Sequence, residues 1–455
     1  MVPWGVILRD PVHGLIAFEG MAERIVRSLL DTREVQRLRR VRQLGLASLV
    51  FHGAEHTRFS HAVGAAHVMQ ALQHRIDACS QELPPDQRLD DEARAEGLAA
   101  ALLHDLGHGP FSHLFEEVLP HAKHHEQWTQ EILLDPATEV HQALESISAG
   151  MAERVTGLLS GNYRLGYLSQ SVSGTLDVDR ADYLLRDSHM TGVRYGLYDL
   201  DWLLQALTFA CVNDRWVLAV QGRKGLPPAE SFFLGRHFMY QQVYHHKATR
   251  AAEALVRAIF IRVSELISDG TPPDPLLPAF RAAALGESLA LDEYLRMDDA
   301  ELLTCLGAWE EGKDRTLAEL SKRLRCRDLP KTMPLPDNRR DQWDEARGRA
   351  EEIVVSHGLR PDLTVWLDIA EDVPYYEPTD GSTDGMWVTF RHQPLQRLGD
   401  ASFLLGELRN KRIERPHLIF PGEFRDQVVA AMHRVLRSEE RRVGKECRSR
   451  WSPYH

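Results

Sequence analysis

Long apolar runs are missing from this 455-residue sequence, and no stretch approaches the about 18 consecutive apolar residues that a membrane-spanning helix needs. The opening MVPWGVILRDP has neither the basic start nor the apolar centre of a secretory signal, so a cytoplasmic address is expected. Cysteine is scarce. Its five copies, Cys79, Cys211, Cys305, Cys326 and Cys447, are scattered, odd in number and free of CxxC spacing, which argues against a disulfide framework and against thiolate metal ligands. Positive charge is in deficit as well, with 54 Lys and Arg against 66 Asp and Glu. The resulting net charge of −12 speaks against a broad nucleic-acid surface and leaves room only for a local basic pocket around a small polyanion. No internal repeat is found.

What is present is ample material for a core, 43% of it hydrophobic, enough for one large domain and a smaller one. From Met21 to about Asp201 the apolar residues recur at three- and four-residue spacing, as in MAERIVRSLL and EARAEGLAAALLHDL, which predicts stacked helices. Glycine and proline punctuate the joins at Gly45, Gly53, Gly107 to Pro110 and Pro120, and Pro84-Pro85 marks a loop. RWVLAVQG (215–222) reads as a strand, with Asn213-Asp214 as the turn of a short hairpin. Helical pattern resumes at about Pro228 and runs through Ile267, followed by a Pro-rich loop over 268–278. After about Pro330, LTVWLDIA and GMWVTF read as strands among shorter helical runs, and EPTDGSTDG (377–385) as a polar turn. The expected organisation is a mainly α fold: a helical core over 1–330, a smaller α+β lobe over 331–437, and a non-native or disordered tail over 438–455. In that tail RRVGKECRSRWSPYH has no apolar period and looks like appended vector sequence.

Histidine is abundant, 22 residues with many between 52 and 125. In ALLHDLGHGPFSH an apolar helical run delivers His104 and Asp105 side by side and then stops at Gly107 and Gly109-Pro110. Imidazole and carboxylate together suit a borderline or hard divalent metal such as iron, manganese, cobalt, zinc or magnesium. Upstream, HTRFSHAVGAAHV sets His61 before Gly64, Ala65 and Ala66, small residues that let a neighbouring helix come close enough to share a metal. Downstream, TLDVDRADYLLRDS supplies Asp179, with Tyr183 and Asp187 one and two turns along the same face. The alternative for DVDR is a helix N-cap, by Asp177 or Asp179.

RFSH, HDLGHGPFSHLFE and DVDRADYLLRDS, in that order, resemble the signature blocks of the HD-domain deoxynucleoside triphosphate triphosphohydrolases. DPVHGLI, DTREVQRLRRVRQLGL, GAEHTRFSH, KHHEQ, YHHK and LRMDDAELL extend the likeness over about residues 6–310, toward the branch of the vertebrate sterile-alpha-motif and HD-domain enzyme and its bacterial relatives. The resemblance implies an HD-domain helical core with motifs within about 50–190. It further implies a metal held by His61, His104, Asp105 and Asp179, with additional magnesium on the substrate phosphates. His125 of the His-Glu dipeptide stands for the imidazole beside the reacting phosphorus, with His124 as competitor in register, and His108 and His113 for imidazoles on the phosphates.

For substrate binding the resemblance implies Gln43, Arg58, Arg180 (where relatives commonly carry Lys), Tyr183, Asp187, Arg236, Tyr244, His246 and Lys247. Tyr240, on the same stripe, is the residue assigned to the core. Asp31, Gln36 and Arg39 match residues that recognise an activating GTP or dGTP between subunits, and so imply a homo-oligomer, dimer or tetramer. Val6, standing where the vertebrate enzyme has a phosphate-binding Lys, weakens that match, and a charged helix face with Asp31 as N-cap is the alternative. The implied reaction is hydrolysis of a dNTP to deoxynucleoside and inorganic triphosphate. An HD phosphohydrolase acting on a nucleoside monophosphate, an alarmone or a cyclic dinucleotide, and a nucleotide sensor with vestigial catalysis, remain the competing expectations.

Overall fold

The helical periodicity of residues 21–201 is realised in the computed structural model of the chain, which describes residues 5–111, 123–336, 339–378 and 385–437. A hairpin of β1 (Val6–Asp10) and β2 (Gly14–Phe18) comes first. Its turn is set by Asp10, whose Oδ1 accepts from the backbone N–H groups of Val12 and His13, each at 2.9 Å. The helices that follow are α1 (Gly20–Leu30), α2 (Arg33–Arg37), α3 (Arg58–Ala78), α4 (Asp91–Leu103), α5 (His125–Leu134), α6 (Glu139–Ile147), α7 (Met151–Leu159), α8 (Gly166–Ser173) and α9 (Val178–Thr191). α3 packs against both α4 and α9, and it is buried on nearly all sides, as a helix at the centre of a stack must be. Its run of small residues permits this. A Cβ on Gly64 would stand 1.9 Å from Asp182 Oδ1, so α3 and α9 meet at a distance that only glycine allows.

Two side-chain caps aim the helices that frame the site. Asp90 accepts from Ala93 N at the start of α4, and Asp177 from Arg180 N at the start of α9. The cap in DVDR is therefore Asp177, which leaves Asp179 free to face the interior. Asp31, by contrast, closes α1 as its C-cap, and Thr32 occupies the N-cap position of α2, so the reading of Asp31 as an N-cap is corrected.

The chain resolves into two compact units: Met1–Tyr244 with Leu277–Leu303 and Asp372–Arg412, and His245–Leu276 with Thr304–Glu371 and Ile413–His455. In the first, the expected hairpin forms between β3 (Leu207–Val212) and β4 (Arg215–Gln221), through Asn213 and Asp214 at φ 50° and 60°, the twisted turn that suits adjacent strands. β5 (Trp387–Phe390) joins β4 in parallel and β6 (Gln393–Arg397) completes a four-stranded sheet. The second unit has strands Lys331–Pro334, Ile413–Phe420 and Trp366–Asp372 in one sheet, with helix Arg340–Ser356 packing Trp343, Ala346, Ala350 and Val354 against Leu418, Phe420 and Val428. The fold is mainly α with a smaller α+β part. The segments expected as a polar turn (377–385) and a tail (438–455) fall largely or wholly outside the described residues.

The single helix expected from Pro228 to Ile267 is two. The first, α10 (Leu200–Gln205) having preceded the sheet, is α11 (Gly222–Met239), which passes into a π-turn over Tyr240–Tyr244. The next helix starts at Lys247 after His246 in extended backbone. A π-turn adds a residue to one turn and so re-aims the side chains beyond it. Here it delivers the Tyr244 hydroxyl to Asp187 Oδ2 at 2.8 Å. Among the described residues, no helix is long and apolar enough to cross a membrane.

Candidate metal centre

Three helix ends meet where the sequence blocks converge. His61 sits in the first turn of α3, His104 and Asp105 directly follow α4, and Asp179 lies in the first turn of α9. Ligand atoms of His61, His104 and Asp105 lie within 4.8 Å of one another. Asp179 Oδ1 joins them at 3.0 Å from His61 Nε2 and 3.4 Å from His104 Nε2.

The fit to a metal rests on tautomers. His61 Nδ1 is 2.8 Å from Asp182 Oδ2, and His104 Nδ1 is 2.9 Å from the Ala101 carbonyl. A carboxylate and a carbonyl can only accept, so each Nδ1 carries a proton and each Nε2 is the ring atom turned inward to the cluster. Those two nitrogens face each other at 3.1 Å, beside two carboxylates. Such a set draws positive charge between its members. Burial opposes a charge on His61, yet Asp179, Asp182 and Asp105 together outweigh burial and push its pKa up to about 10. The residues therefore fit a divalent ion held by nitrogen and oxygen ligands, with the acceptors on the outer ring nitrogens fixing their orientation.

Around this set, Arg58 Nη1 donates to Asp105 Oδ2 at 2.5 Å, and His108 Nε2 lies 3.2 Å from Asp105 Oδ1. Burial and the nearby Arg58 hold the His108 pKa well below the usual imidazole value, so this ring is neutral. His125 opens α5 and stacks on His108 with ring centroids 3.9 Å apart. Its neighbour His124 is the N-cap residue, with its backbone N–H donating to Gln127 Oε1 at 3.0 Å. His113 lies outside the described residues.

A cavity of about 490 Å³ opens beside the cluster, lined by His104, Asp105, His125, Asp179 and Arg180 among others. Arg180 and Ser173 also line a second cavity of about 210 Å³, which Arg236 borders. Neither arginine is idle. Arg180 is tied to Asp177 and the Gly174 carbonyl, and Arg236 donates to Val373 O at 2.9 Å. Tyr183 lies edge-on to His61 at 6.4 Å and to Tyr244 at 6.1 Å between centroids. Asp187 is gripped by Tyr244 and by His56 Nε2 at 2.8 Å. Gln43, whose backbone N–H donates to the His56 carbonyl, keeps its Oε1 buried without a partner among the described residues. His246 and Lys247 begin the first helix of the second unit.

A protein of Bacillus subtilis, the uncharacterized protein YwfO, is 34% identical to this chain over 375 residues, covering 82% of each. The HD domain family matches residues 58–187, and the HD associated region residues 198–270. The chain belongs to the HD-domain family. Within the family it falls in the branch related to the SAMHD1 proteins. Human deoxynucleoside triphosphate triphosphohydrolase SAMHD1 is 26% identical over 291 residues, which cover 57% of this chain and 45% of the human one. A solved phosphohydrolase of Bacteroides thetaiotaomicron superposes with a TM-score of 0.75 at 28% identity, covering 91% of this chain and 99% of that one. HD domains bind divalent metals, and this HD-domain chain is a metal-dependent phosphohydrolase by family, fold and site chemistry.

Sequence reasoning missed Asp182, His56 and Gly107 as parts of the site. Asp182 carried one signal, its three-residue spacing from Asp179 on the same helix. Gly107 had none beyond its motif. A Cβ there would stand 1.9 Å from the His125 carbonyl oxygen and 2.5 Å from Thr129 N, both backbone atoms that cannot swing away. Gly107 N also donates to Thr129 Oγ1 at 2.9 Å, so the turn after His104 and Asp105 is docked on the first turn of α5. Gly107→Ala is expected to cost about 1–3 kcal/mol by overpacking, and to lower the hydrolytic rate by separating His125 from the ligand turn. Thermal unfolding and steady-state rates check this, and wild-type values for both would mean that the two segments do not touch.

Proposed function

We propose that the chain is a dNTP triphosphohydrolase, releasing deoxynucleoside and inorganic triphosphate. The observation that carries the reading is the wall beside the candidate metal. The Tyr183 ring stands edge-on to the ligand His61, and Asp187, one turn further along α9, is an ionisable acceptor held in place by Tyr244 and His56. Such a pair suits a sugar: the carboxylate would receive a 3′-hydroxyl, with the unpartnered Gln43 Oε1 as a second acceptor, while the bulk of Tyr183 would crowd a 2′-hydroxyl.

A divalent ion held by His61, His104, Asp105 and Asp179, with magnesium carried on the substrate phosphates, supplies charge neutralisation and an acidified water. The remaining work falls to side chains. Arg58 fixes Asp105, and the neutral His108 shares that carboxylate. His125, on the cavity wall, is placed to carry a proton, while Arg180 and Arg236 border the two cavities as cations for the phosphate chain. For His113, and for His246 and Lys247 in the second unit, the assignment to substrate rests on the family match. The test is to incubate metal-loaded protein with each dNTP and each NTP and to separate the products by chromatography. Deoxynucleoside and triphosphate from dNTPs, with NTPs left intact, is the expected result, and Tyr183→Ala should admit NTPs. Hydrolysis of a monophosphate, alarmone or cyclic dinucleotide in preference would give the site to another substrate.

The same family match suggests activation by GTP or dGTP in a homo-oligomer. Asp31 and Arg39 are exposed, Arg39 Nε donates to Gln36 Oε1 at 2.9 Å, and the Arg39 guanidinium lies 3.5 Å over the ring of Phe59, two residues from His61. An effector on these groups would press on the start of α3. Guanine nucleotide is expected to shift the protein toward a larger oligomer and to raise turnover of other dNTPs, and Arg39→Ala to blunt both without loss of metal. Light scattering and initial rates across the titration measure it, and constant mass and rate up to millimolar nucleotide would remove the regulatory reading.

A further inference from the structure

The two candidate imidazole ligands are held in different ways. His104 Nδ1 is anchored locally, on the Ala101 carbonyl at the end of its own helix. His61 Nδ1 is anchored across the fold, on a carboxylate that is itself the centre of a buried network. Asp182 Oδ2 accepts from His61 and from Arg186 Nε, each at 2.8 Å, and Oδ1 from His13 Nε2 at 2.7 Å and Arg186 Nη2 at 2.9 Å. Arg186 continues to Asp10 Oδ2 at 2.8 Å, and Asp10 Oδ1 holds the turn that carries His13. Asp182 and Arg186 are both fully buried. The room for this is made by Gly64, one turn beyond His61, where a Cβ would lie 1.9 Å from Asp182 Oδ1 and 2.3 Å from Arg186 Nη2.

We infer that Asp182 is the positioning residue that presents His61 Nε2 to the metal, and that through Asp182 the amino-terminal hairpin is a working part of the metal centre. The inference rests on the reading of His61 as a ligand. An acceptor on the outer ring nitrogen fixes both the tautomer and the plane of a ligating imidazole. Among the described residues, every hydrogen bond that orients this acceptor comes from Arg186, from the hairpin's His13, or from His61 itself. Arg186 is in turn held by the hairpin's Asp10. Movement of residues 10–13 therefore reaches the ligand through two parallel hydrogen-bonded routes, one by His13 and one by Asp10 and Arg186, with no side chain of the metal set displaced directly.

Asp182→Asn keeps the shape but offers an amide that can donate to Nδ1 and turn the ring's proton toward the metal. His13→Ala removes the hairpin donor and leaves the Arg186 pair intact. Cobalt(II) is titrated into the metal-free wild type and both variants, with affinity read by chelator competition, ligand geometry by visible absorption, and folding by circular dichroism and melting of the metal-free proteins. Asp182→Asn is expected to weaken cobalt binding by about 10- to 100-fold and to shift the absorption bands, and His13→Ala to act in the same direction with smaller size. Wild-type affinity and spectrum in folded Asp182→Asn would overturn the positioning role, and the same in His13→Ala would overturn the tie to the hairpin. If Asp182→Asn does not fold, His13→Ala decides alone, with weakened binding in support and unchanged binding against. A wild type that takes up no cobalt would instead strike at His61 as a ligand.

Discussion

Replacement of His104 by alanine is expected to abolish metal uptake and hydrolysis together while the helical fold stands. His104 is the junction of the cluster, with its Nε2 3.1 Å from His61 Nε2, 3.4 Å from Asp179 Oδ1 and 3.4 Å from Asp105 Oδ1. Its Nδ1 rests on one carbonyl within its helix and its Nε2 contacts lie inside the cluster, so among the described residues removal takes no side-chain partner from outside the site. Asp105 is a different case. Arg58 is buried against it, and Asp105→Ala would remove the carboxylate of that buried ion pair at a cost of about 3–5 kcal/mol, the size seen when one member of such a pair is deleted. Asp105→Asn, which keeps a hydrogen-bond acceptor for Arg58, is the cleaner probe of the ligand role. Elemental analysis beside circular dichroism reads both variants, and full metal content in folded His104→Ala would contradict the four-residue site.

His125→Ala should behave in the opposite way, retaining the metal and losing rate by about 10²-fold or more, the contribution typical of a positioned acid or base. His125 borders the same cavity as the ligands, and it packs face to face on His108, which lies against Asp105. Its loss therefore leaves the ligand set in place. The competing His124 is the N-cap residue of α5, which makes it the weaker candidate for proton transfer. Metal content and single-turnover rates separate the two effects. Undiminished turnover in His125→Ala would move the role to His124 or His108.

The helical stack was legible because α1, α3, α4 and α9 each carry their apolar residues at helical spacing, and the positions of His61, His104, Asp105 and Asp179 were legible because each sits in a short contiguous block. What sequence could not show was the set of contacts made between blocks. Asp182 meets His13 across 169 residues, and His56 meets Asp187 across 131; no local pattern marks either pair. The parallel pairing of β4 with β5 joins residues near 220 to residues near 388, and it places a strand from the C-terminal third in the first unit. The π-turn at Tyr240–Tyr244 was hidden for a different reason. Its residues keep a helical apolar pattern, and only the hydrogen bond of Tyr244 to Asp187 shows which way that face turns.

In the proposed reaction, water is directed to the α-phosphorus of a dNTP at the site of His61, His104, Asp105 and Asp179. Turnover of one dNTP in ¹⁸O-labelled water, followed by mass spectrometry of both products, tests it most directly. Attack at the α-phosphorus breaks the bond to the 5′-oxygen, so one labelled oxygen should appear in inorganic triphosphate and none in the deoxynucleoside. Release of labelled orthophosphate or diphosphate, with the nucleotide's α-phosphate still attached to the sugar, would contradict the account.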